Sequence, residues 1–226
     1  MSAQLNQEAD RKLLADKLAR YVAGELRLAV SEKGAASIAV AGGSTPREFL
    51  VRLGQIEIEW SKVTITLTDE RCVPFKDERS NARLLSQTLL IGAASGARFI
   101  PLYSEDNNHS AIDKLNEHAL PLDICVLGMG TDMHTASLFP DAKGLAVGLD
   151  ENSEFPLVKI MPKGIEEDRI SMTVAELKKA KQLHLLITGE EKLAALKRAK
   201  ATVDVQKAPV KAVLESGNMH SIWYAS

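Results

Sequence analysis

The sequence predicts an α/β protein whose mostly parallel sheet carries helices on both faces. Short apolar runs alternate along the chain with longer segments of helical periodicity. Several of these runs are apolar at successive positions, which is typical of strands buried on both faces. No internal repeat and no Pro/Gly-rich linker divides the 226 residues, so we expect one domain spanning 1–226.

The first half of the chain shows this alternation clearly. Apolar residues from Leu13 to Val30 recur at helical spacing, so we predict a helix over 5–30, which Gly34 ends. Residues 37–41 then form a predicted short buried strand. The pattern continues with predicted strands at 63–67 and 99–102 and predicted helices beginning near Pro46 and covering 81–90 and 110–120.

The second half continues in the same way. Residues 122–127 read Leu-Asp-Ile-Cys-Val-Leu, which predicts another buried strand. Residues 190–199 are strongly helical. The remaining predicted strands cover 157–161, 169–172, 183–188 and 220–223.

Composition and charge exclude several classes of protein. The formal net charge of −2 lacks the broad basic surface of a nucleic-acid binder, so any anionic substrate must be held by a few placed cations. Cys72 and Cys125 do not form a disulfide framework, and we interpret both as buried thiols. The first residues lack the layout of a signal peptide, and no apolar run is long enough to span a membrane. We therefore expect a cytoplasmic protein.

The run at 127–140 places a titratable group directly after the predicted strand 122–127. It combines two glycines with Asp132, His134 and the hydroxyls of Thr135 and Ser137. Ligands of open α/β sheets bind beyond the carboxyl ends of the strands. This polar cluster is therefore a candidate active site.

A second candidate site lies between the strand at 37–41 and the helix beginning near Pro46. Its residues, Gly42, Gly43, Ser44 and Thr45, combine a flexible backbone with two hydroxyls and a helix N-terminus. Such a turn makes a phosphate cradle. A simple tight turn with a serine cap is the alternative. The sequence fits neither a nucleophile elbow nor a P-loop.

Charged residues follow the strand at 63–67. Asp69, Glu70 and Arg71 come in succession, and Arg79, Ser80 and Asn81 open the next predicted helix. Together they indicate a site at the same edge of the sheet. A solvated loop followed by a plain helix cap explains them as well.

Two isolated cations also suggest anion binding. Arg169 falls within a predicted strand, where it needs solvent or an anion. Lys192 lies in the first turn of a helix and opposes its dipole, unless a phosphate sits there. An exposed position accounts for either residue. Metal and dinucleotide sites are disfavoured because ligand spacing and a complete glycine fingerprint are both missing.

Taken in order, these motifs resemble the 6-phosphogluconolactonase family. The resemblance rests on Gly42 to Pro46, on Asp69-Glu70-Arg71-x-Val73-Pro74 with Ser80-Asn81, and on the long histidine run at 127–140. It extends from the N-terminal helix to Trp223. It implies a three-layer α/β/α sandwich with a modified Rossmann-type sheet, of the sugar-phosphate isomerase/CoA-transferase-like kind. It also implies hydrolysis of 6-phospho-D-glucono-1,5-lactone in the pentose phosphate pathway.

The resemblance further implies roles for single residues. His134 matches the histidine thought to activate water, Arg71 matches a cation near the reacting end or the phosphate, and Asp69 and Asp132 would orient the substrate or His134. The residues that match the phosphate site are Gly43, Ser44, Thr45, Arg169 and Lys192. The implied partner is a phosphorylated sugar lactone, with no metal, cofactor, nucleic acid or membrane, and the protein would be a monomer or weak homodimer.

The sequence departs from the family pattern at two positions. Met133 and Asp141 stand where the family usually has glycine, so Met133 is expected to narrow the pocket or to strain the turn. Two alternatives share part of the motif set. One is a glucosamine-6-phosphate deaminase, in which Asp69 would act as a base on carbon, and the other is a non-catalytic sugar-phosphate sensor.

Overall fold

The strands of the main sheet run parallel, as the sequence predicted. The computed structural model describes residues 3–105 and 109–226. Within them, the main sheet has seven strands in the order β1-β10-β9-β6-β2-β3-β5. Its strands are β1 (Gln4–Glu8), β2 (Ala36–Val40), β3 (Val63–Leu67), β5 (Arg98–Ile100), β6 (Ile124–Leu127), β9 (Gln182–Thr188) and β10 (Met219–Ala225).

Helices flank this sheet, which gives the expected α/β sandwich. Every residue of β2, β3 and β6 is buried, so both faces of the sheet centre are covered. The helices are α1 (Arg11–Lys33), α2 (Arg47–Gly54), α3 (Asn81–Ser86), α4 (His109–His118), α5 (Leu145–Leu149), α6 (Val174–Leu177), α7 (Glu190–Ala201) and α8 (Val210–Leu214). None of the helices in the described ranges is long and apolar enough to cross a membrane.

The N-terminal prediction was wrong in one respect. The predicted helix 5–30 begins only at Arg11, and residues 4–8 form β1, which pairs with β10. The Asp10 carboxylate accepts a hydrogen bond from the Leu13 amide at 2.7 Å and thereby caps α1. Pairing with a strand from the far end of the chain is a long-range interaction that local periodicity does not encode. Gly34 ends α1 as predicted, with a φ of 80°.

Two predicted strands lie outside the parallel sheet. The segments predicted at 157–161 and 169–172 form β7 (Leu157–Ile160) and β8 (Arg169–Met172), which run antiparallel. With β4 (Asp69–Arg71) they make a small separate sheet in the order β4-β8-β7. The chain passes directly from β3 to β4 through Thr68, whose carbonyl accepts from the Met172 amide at 2.9 Å. The small sheet therefore stands at the carboxyl edge of the large one.

The parallel topology brings the polar loops together. The loops after β2, β3, β6 and β9 leave from the same edge because their strands share one direction. Backbone hydrogen bonds connect the starts of these loops to the neighbouring strands: the Ala41 amide donates to the Val126 carbonyl, and the Thr68 amide donates to the Val40 carbonyl. Pro46 precedes α2, as predicted, whereas the helix predicted at 81–90 already ends at Ser86.

Candidate active site

A cavity of about 270 Å³ opens at the carboxyl edge of the parallel sheet, between it and the small antiparallel sheet. Eight of the nine candidate residues line it, namely Gly43, Ser44, Thr45, Asp69, Arg71, His134, Arg169 and Lys192. Asp132 is not among the lining residues but contacts His134. The fold thus collects residues from loops that are far apart in the sequence.

The loop after β2 forms one wall of the cavity. Gly43 has a φ of 98°, a conformation that favours glycine. Gly42 is equally constrained, because a Cβ there would lie 2.0 Å from Asn81 Oδ1. Lys192 Nζ donates to Thr45 Oγ1 at 3.0 Å and so places a cation on this loop. Burial, and then the nearby charge of Arg11, lower the pKa of Lys192 below its usual value.

The loop after β6 turns tightly around Gly130. The Gly130 amide donates to the His134 carbonyl at 3.1 Å, and the Met133 amide donates back to Gly130 at 3.0 Å. Met133 adopts a φ of 71°, and Asp141 adopts a φ of 59°. Both departures from the family's glycine pattern therefore occupy left-handed backbone, where a side chain is strained. Met133 packs against the hydrophobic core and is not among the residues lining the cavity.

Three neighbours hold the His134 ring. Its Nδ1 lies 2.6 Å from Asp132 Oδ1, and its centroid lies 4.2 Å from that of Phe139. On the Gly130 side, a Cβ would come within 2.3 Å of the ring, so only glycine leaves room for it. Gly130 and Phe139 both fall within the histidine run at 127–140, but the sequence alone indicated no role for either.

Asp132 determines which nitrogen of His134 carries a proton. Burial raises the pKa of Asp132, but the hydrogen bond and charge of His134 outweigh it, so the net pKa is lowered. An ionised carboxylate can only accept hydrogen bonds, hence His134 Nδ1 is the donor. Nε2 of the neutral ring is then unprotonated and able to take a proton.

Asp69 is fixed by hydroxyl groups. Ser137 Oγ donates to its Oδ2 at 2.6 Å, and Thr68 Oγ1 donates to its Oδ1 at 3.0 Å. The Asn81 side chain donates to the Asp69 carbonyl at 2.9 Å. Ser137 and Asn81 also line the cavity, and both belong to polar clusters that the sequence indicated as candidate sites.

Glu70, unlike Asp69, stabilises the start of α3 and does not line the cavity. Its buried carboxylate accepts from the backbone amides of Arg71, Asn81 and Ala82 and from Ser80 Oγ. Burial raises the pKa of Glu70, and the backbone hydrogen bonds oppose that shift. Ser80 caps α3, as one of the sequence alternatives held. The charged run after β3 therefore divides between the cavity, at Asp69 and Arg71, and the helix cap.

Arg71 and Arg169 face each other across β4 and β8. Arg169 is only 6% exposed even though it carries a charge. Burial lowers the pKa of Arg169 from its usual value, Glu167 opposes this shift, and Arg71 adds to it. A buried cation placed opposite another cation is stabilised by a bound anion.

Neither cysteine is among the residues lining the cavity. Cys125 is buried as predicted, whereas Cys72 is only half-buried, so that part of the interpretation was wrong. Both are free thiols. Within the described part of the chain, no three His, Cys, Asp or Glu side chains are grouped to hold a metal ion.

The family model for glucosamine-6-phosphate isomerases/6-phosphogluconolactonase matches residues 9–223. The chain is 41% identical to a 6-phosphogluconolactonase of Pseudomonas putida, over 94% of this chain and 90% of that protein. It is 40% identical to a 6-phosphogluconolactonase of Rhizobium meliloti, over 95% of this chain and 94% of that protein. The crystal structure of a 6-phosphogluconolactonase from Shewanella baltica OS155 superposes with a TM-score of 0.95 at 32% identity, covering 100% and 98% of the two chains. The chain therefore belongs to the glucosamine-6-phosphate isomerase/6-phosphogluconolactonase family.

Proposed function

We propose that the protein hydrolyses 6-phospho-D-glucono-1,5-lactone to 6-phospho-D-gluconate in the pentose phosphate pathway, and that His134 activates the attacking water. The observation that carries the mechanism is the pairing of His134 Nδ1 with Asp132 at 2.6 Å. This pairing leaves Nε2 unprotonated in a cavity that also contains Lys192, Arg71 and Arg169. A base and a set of cations in one cavity suit an anionic ester substrate.

The reaction needs one base that later acts as an acid. His134 Nε2 takes a proton from water while the water oxygen bonds to the lactone carbonyl carbon, which leaves a tetrahedral oxyanion. The bond from that carbon to the ring oxygen then breaks, and the imidazolium returns its proton to the ring oxygen. Asp132 stabilises the imidazolium between the two steps. The products are a hydroxyl and a carboxylic acid, and the acid then releases its proton to solvent to give the carboxylate, so protons and electrons balance.

The cations divide the work of binding. The backbone of Gly43, the hydroxyls of Ser44 and Thr45, and Lys192 would receive the phosphate, with Arg169 completing the clamp. Arg71, on the neighbouring strand, would stabilise the oxyanion or the phosphate. Asp69 would accept from substrate hydroxyls while Ser137 and Thr68 hold its carboxylate in place.

Lactone hydrolysis measured above the spontaneous rate tests both the activity and the mechanism. The wild-type protein is expected to accelerate hydrolysis, and His134→Ala is expected to remove about 100-fold or more of that acceleration. His118→Ala is the matched control, because its side chain is 28% exposed against 26% for His134, and it should keep the wild-type rate.

Each result bears on a different part of the proposal. No acceleration by the wild type would refute the activity, and an unchanged rate in His134→Ala would refute the mechanism. Ammonia release from glucosamine 6-phosphate would favour the deaminase alternative, and binding of phosphorylated sugars without turnover would favour the sensor. A single domain over 1–226, a cytoplasmic location and a monomeric or weakly dimeric state stay predictions.

A further inference from the structure

Arg71 and Arg169, the two arginines that line the cavity, are restrained by neighbouring groups that do not line it. Arg71 and Arg169 are register partners on adjacent antiparallel strands, and both line the cavity. Like charges directly opposite each other on such strands repel, and flexible guanidinium groups would turn apart if nothing held them. The groups that restrain them belong to residues that have no role in the reaction proposed above.

Glu167 grips Arg169 at two points. Glu167 Oε1 lies 3.2 Å from Arg169 Nη2, and the Glu167 backbone carbonyl accepts from Arg169 Nη1 at 2.8 Å. Both side chains are largely buried, with exposed fractions of 16% for Glu167 and 7% for Arg169. An ion pair shielded in this way restrains geometry better than an exposed one does.

Arg79 extends the same network to Arg71. Arg79 Nη1 lies 3.3 Å from Glu167 Oε2, and the Arg79 backbone carbonyl accepts from Arg71 Nη1. Asp77 holds the other side of the Arg79 guanidinium, through Nη2 at 2.9 Å and Nε at 3.1 Å. Glu167 and Arg79 thus join the segment before α3 to the segment before β8.

We propose that Glu167 is a positioning residue that, with Arg79, fixes the guanidinium groups of Arg169 and Arg71 for the phosphorylated substrate. This inference rests on the proposed binding role of the two arginines. Arg169 has five N–H donors; Nη1 donates to the Glu167 and Asp168 carbonyls, and Nη2 is ion-paired with Glu167 Oε1. The donors that remain are held in one orientation for a substrate oxygen.

The direction in which KM changes in Glu167→Gln distinguishes a positioning role from simple charge neutralisation. Glu167→Gln removes a negative charge beside an anion site, so charge alone would lower the KM for the phosphorylated lactone. Loss of positioning raises the KM, because the arginines must then be ordered when substrate binds. A purely structural contact would leave KM unchanged in the folded variant.

The test compares steady-state kinetics of full-length variants on the phosphorylated lactone. We expect Glu167→Gln to raise KM about fivefold or more, with kcat within about threefold of wild type. Glu167→Asp, which keeps the charge but shortens the side chain, should raise KM less and decides the matter if Glu167→Gln does not fold. Asp168→Asn is the control, because its carboxylate pairs with Lys159 at 2.8 Å and should leave KM within twofold.

Three further variants complete the experiment. Arg79→Lys should raise KM as Glu167→Gln does, and the double variant should be no worse than the more affected single variant, because both act in one network. A KM that falls or stays within twofold in the Glu167 variants, while Arg169→Lys binds poorly, would overturn this inference alone. An unchanged KM in Arg169→Lys would overturn the proposed role of Arg169, and the inference with it.

Discussion

His134, in the loop after β6, and His184, in the neighbouring strand β9, are held in opposite ways. His184 lies within β9, beside Val126 of β6, and is fully buried. His134 lies in the loop that leaves the carboxyl end of β6, at the cavity. Each ring has one partner at Nδ1, which is the Asp132 carboxylate at 2.6 Å for His134 and the Ser221 hydroxyl at 2.8 Å for His184.

The difference shows that the surroundings decide what a histidine can do. Burial, and then the charge of His220, lower the pKa of His184 from 6.5 to about 3, so that ring stays neutral and packs against Tyr21. A hydroxyl cannot stabilise an imidazolium by charge, whereas a carboxylate can. His134 has the partner that suits proton transfer, and His184 has the burial that prevents it.

Removing the Nδ1 partner of each histidine should give the largest difference in kcat. Asp132→Asn removes the charged acceptor and leaves the His134 tautomer unspecified, so kcat should fall about 100-fold. Ser221→Ala should leave kcat within twofold but lower the free energy of unfolding by about 1–2 kcal/mol, because a buried nitrogen of His184 loses its partner. Initial rates and urea unfolding of both variants check this. Equal losses of kcat in the two variants would contradict the contrast.

Crowding the His134 ring should have the next largest effect. A Cβ at Gly130 would lie 2.3 Å from the ring and 2.4 Å from Asp132 Oδ1, so Gly130→Ala should lower kcat about tenfold by displacing the pair. Gly128→Ala is the control on the same loop, because its nearest neighbour lies 3.8 Å from an added Cβ. It should change kcat less than threefold. A similar kcat in both variants would refute the steric argument.

The buried histidine should appear in the pH dependence of stability. The pKa of His184 is about 3 in the folded protein, against the ordinary histidine value of 6.5 in the unfolded chain, so the unfolded state takes up a proton below pH 6.5 while the folded state does not. Stability is therefore lost as pH falls through 6.5, by about 2 kcal/mol at pH 5 relative to pH 7.5.

Chemical unfolding of wild type and His184→Gln at the two pH values measures this contribution. The variant should lose about 2 kcal/mol less than wild type between pH 7.5 and pH 5, whatever its absolute stability. The difference between the two proteins cancels the other titrating groups. The same pH dependence in both would show that His184 is accessible to protons in the folded state.

The smallest effect concerns backbone strain at Asp141, directly after the histidine run at 127–140. Asp141 is exposed with a φ of 59°, so Asp141→Gly should raise the free energy of unfolding by about 0.5 kcal/mol. Asp113→Gly, at an exposed position within α4, should lower it by about the same amount, because glycine weakens a helix interior. Thermal unfolding distinguishes the signs. A loss of stability in Asp141→Gly would show that the aspartate makes contacts that outweigh the strain.

Local pattern identified the parts of the fold that depend on local chemistry. Pro46 preceding α2, Ser80 capping α3 and Gly34 ending α1 were predictable because caps and turns involve near neighbours in the sequence. The strand β1 was missed because its formation depends on pairing with β10. The small sheet was missed for the same reason, since β7 and β8 read locally like any other strands.

The candidate site divides along the same line. Asp132 and His134 were predictable as a pair because only one residue, Met133, lies between them in the chain. Glu167 was not, because Glu166, Glu167 and Asp168 read as an exposed acidic run. Its contact with Arg169 and Arg79 exists only once β4 and β8 are aligned.

The sequence by itself determined the alternation of strands and helices, the glycine loop after β2 and the histidine motif after β6. Each of these features depends on residues that are close together in the chain. Only the tertiary structure decided that Lys192 meets Thr45, that Ser137 meets Asp69 and that Arg71 faces Arg169. These contacts depend on strand order and register, which are set by the burial of the whole sheet and not by any one segment.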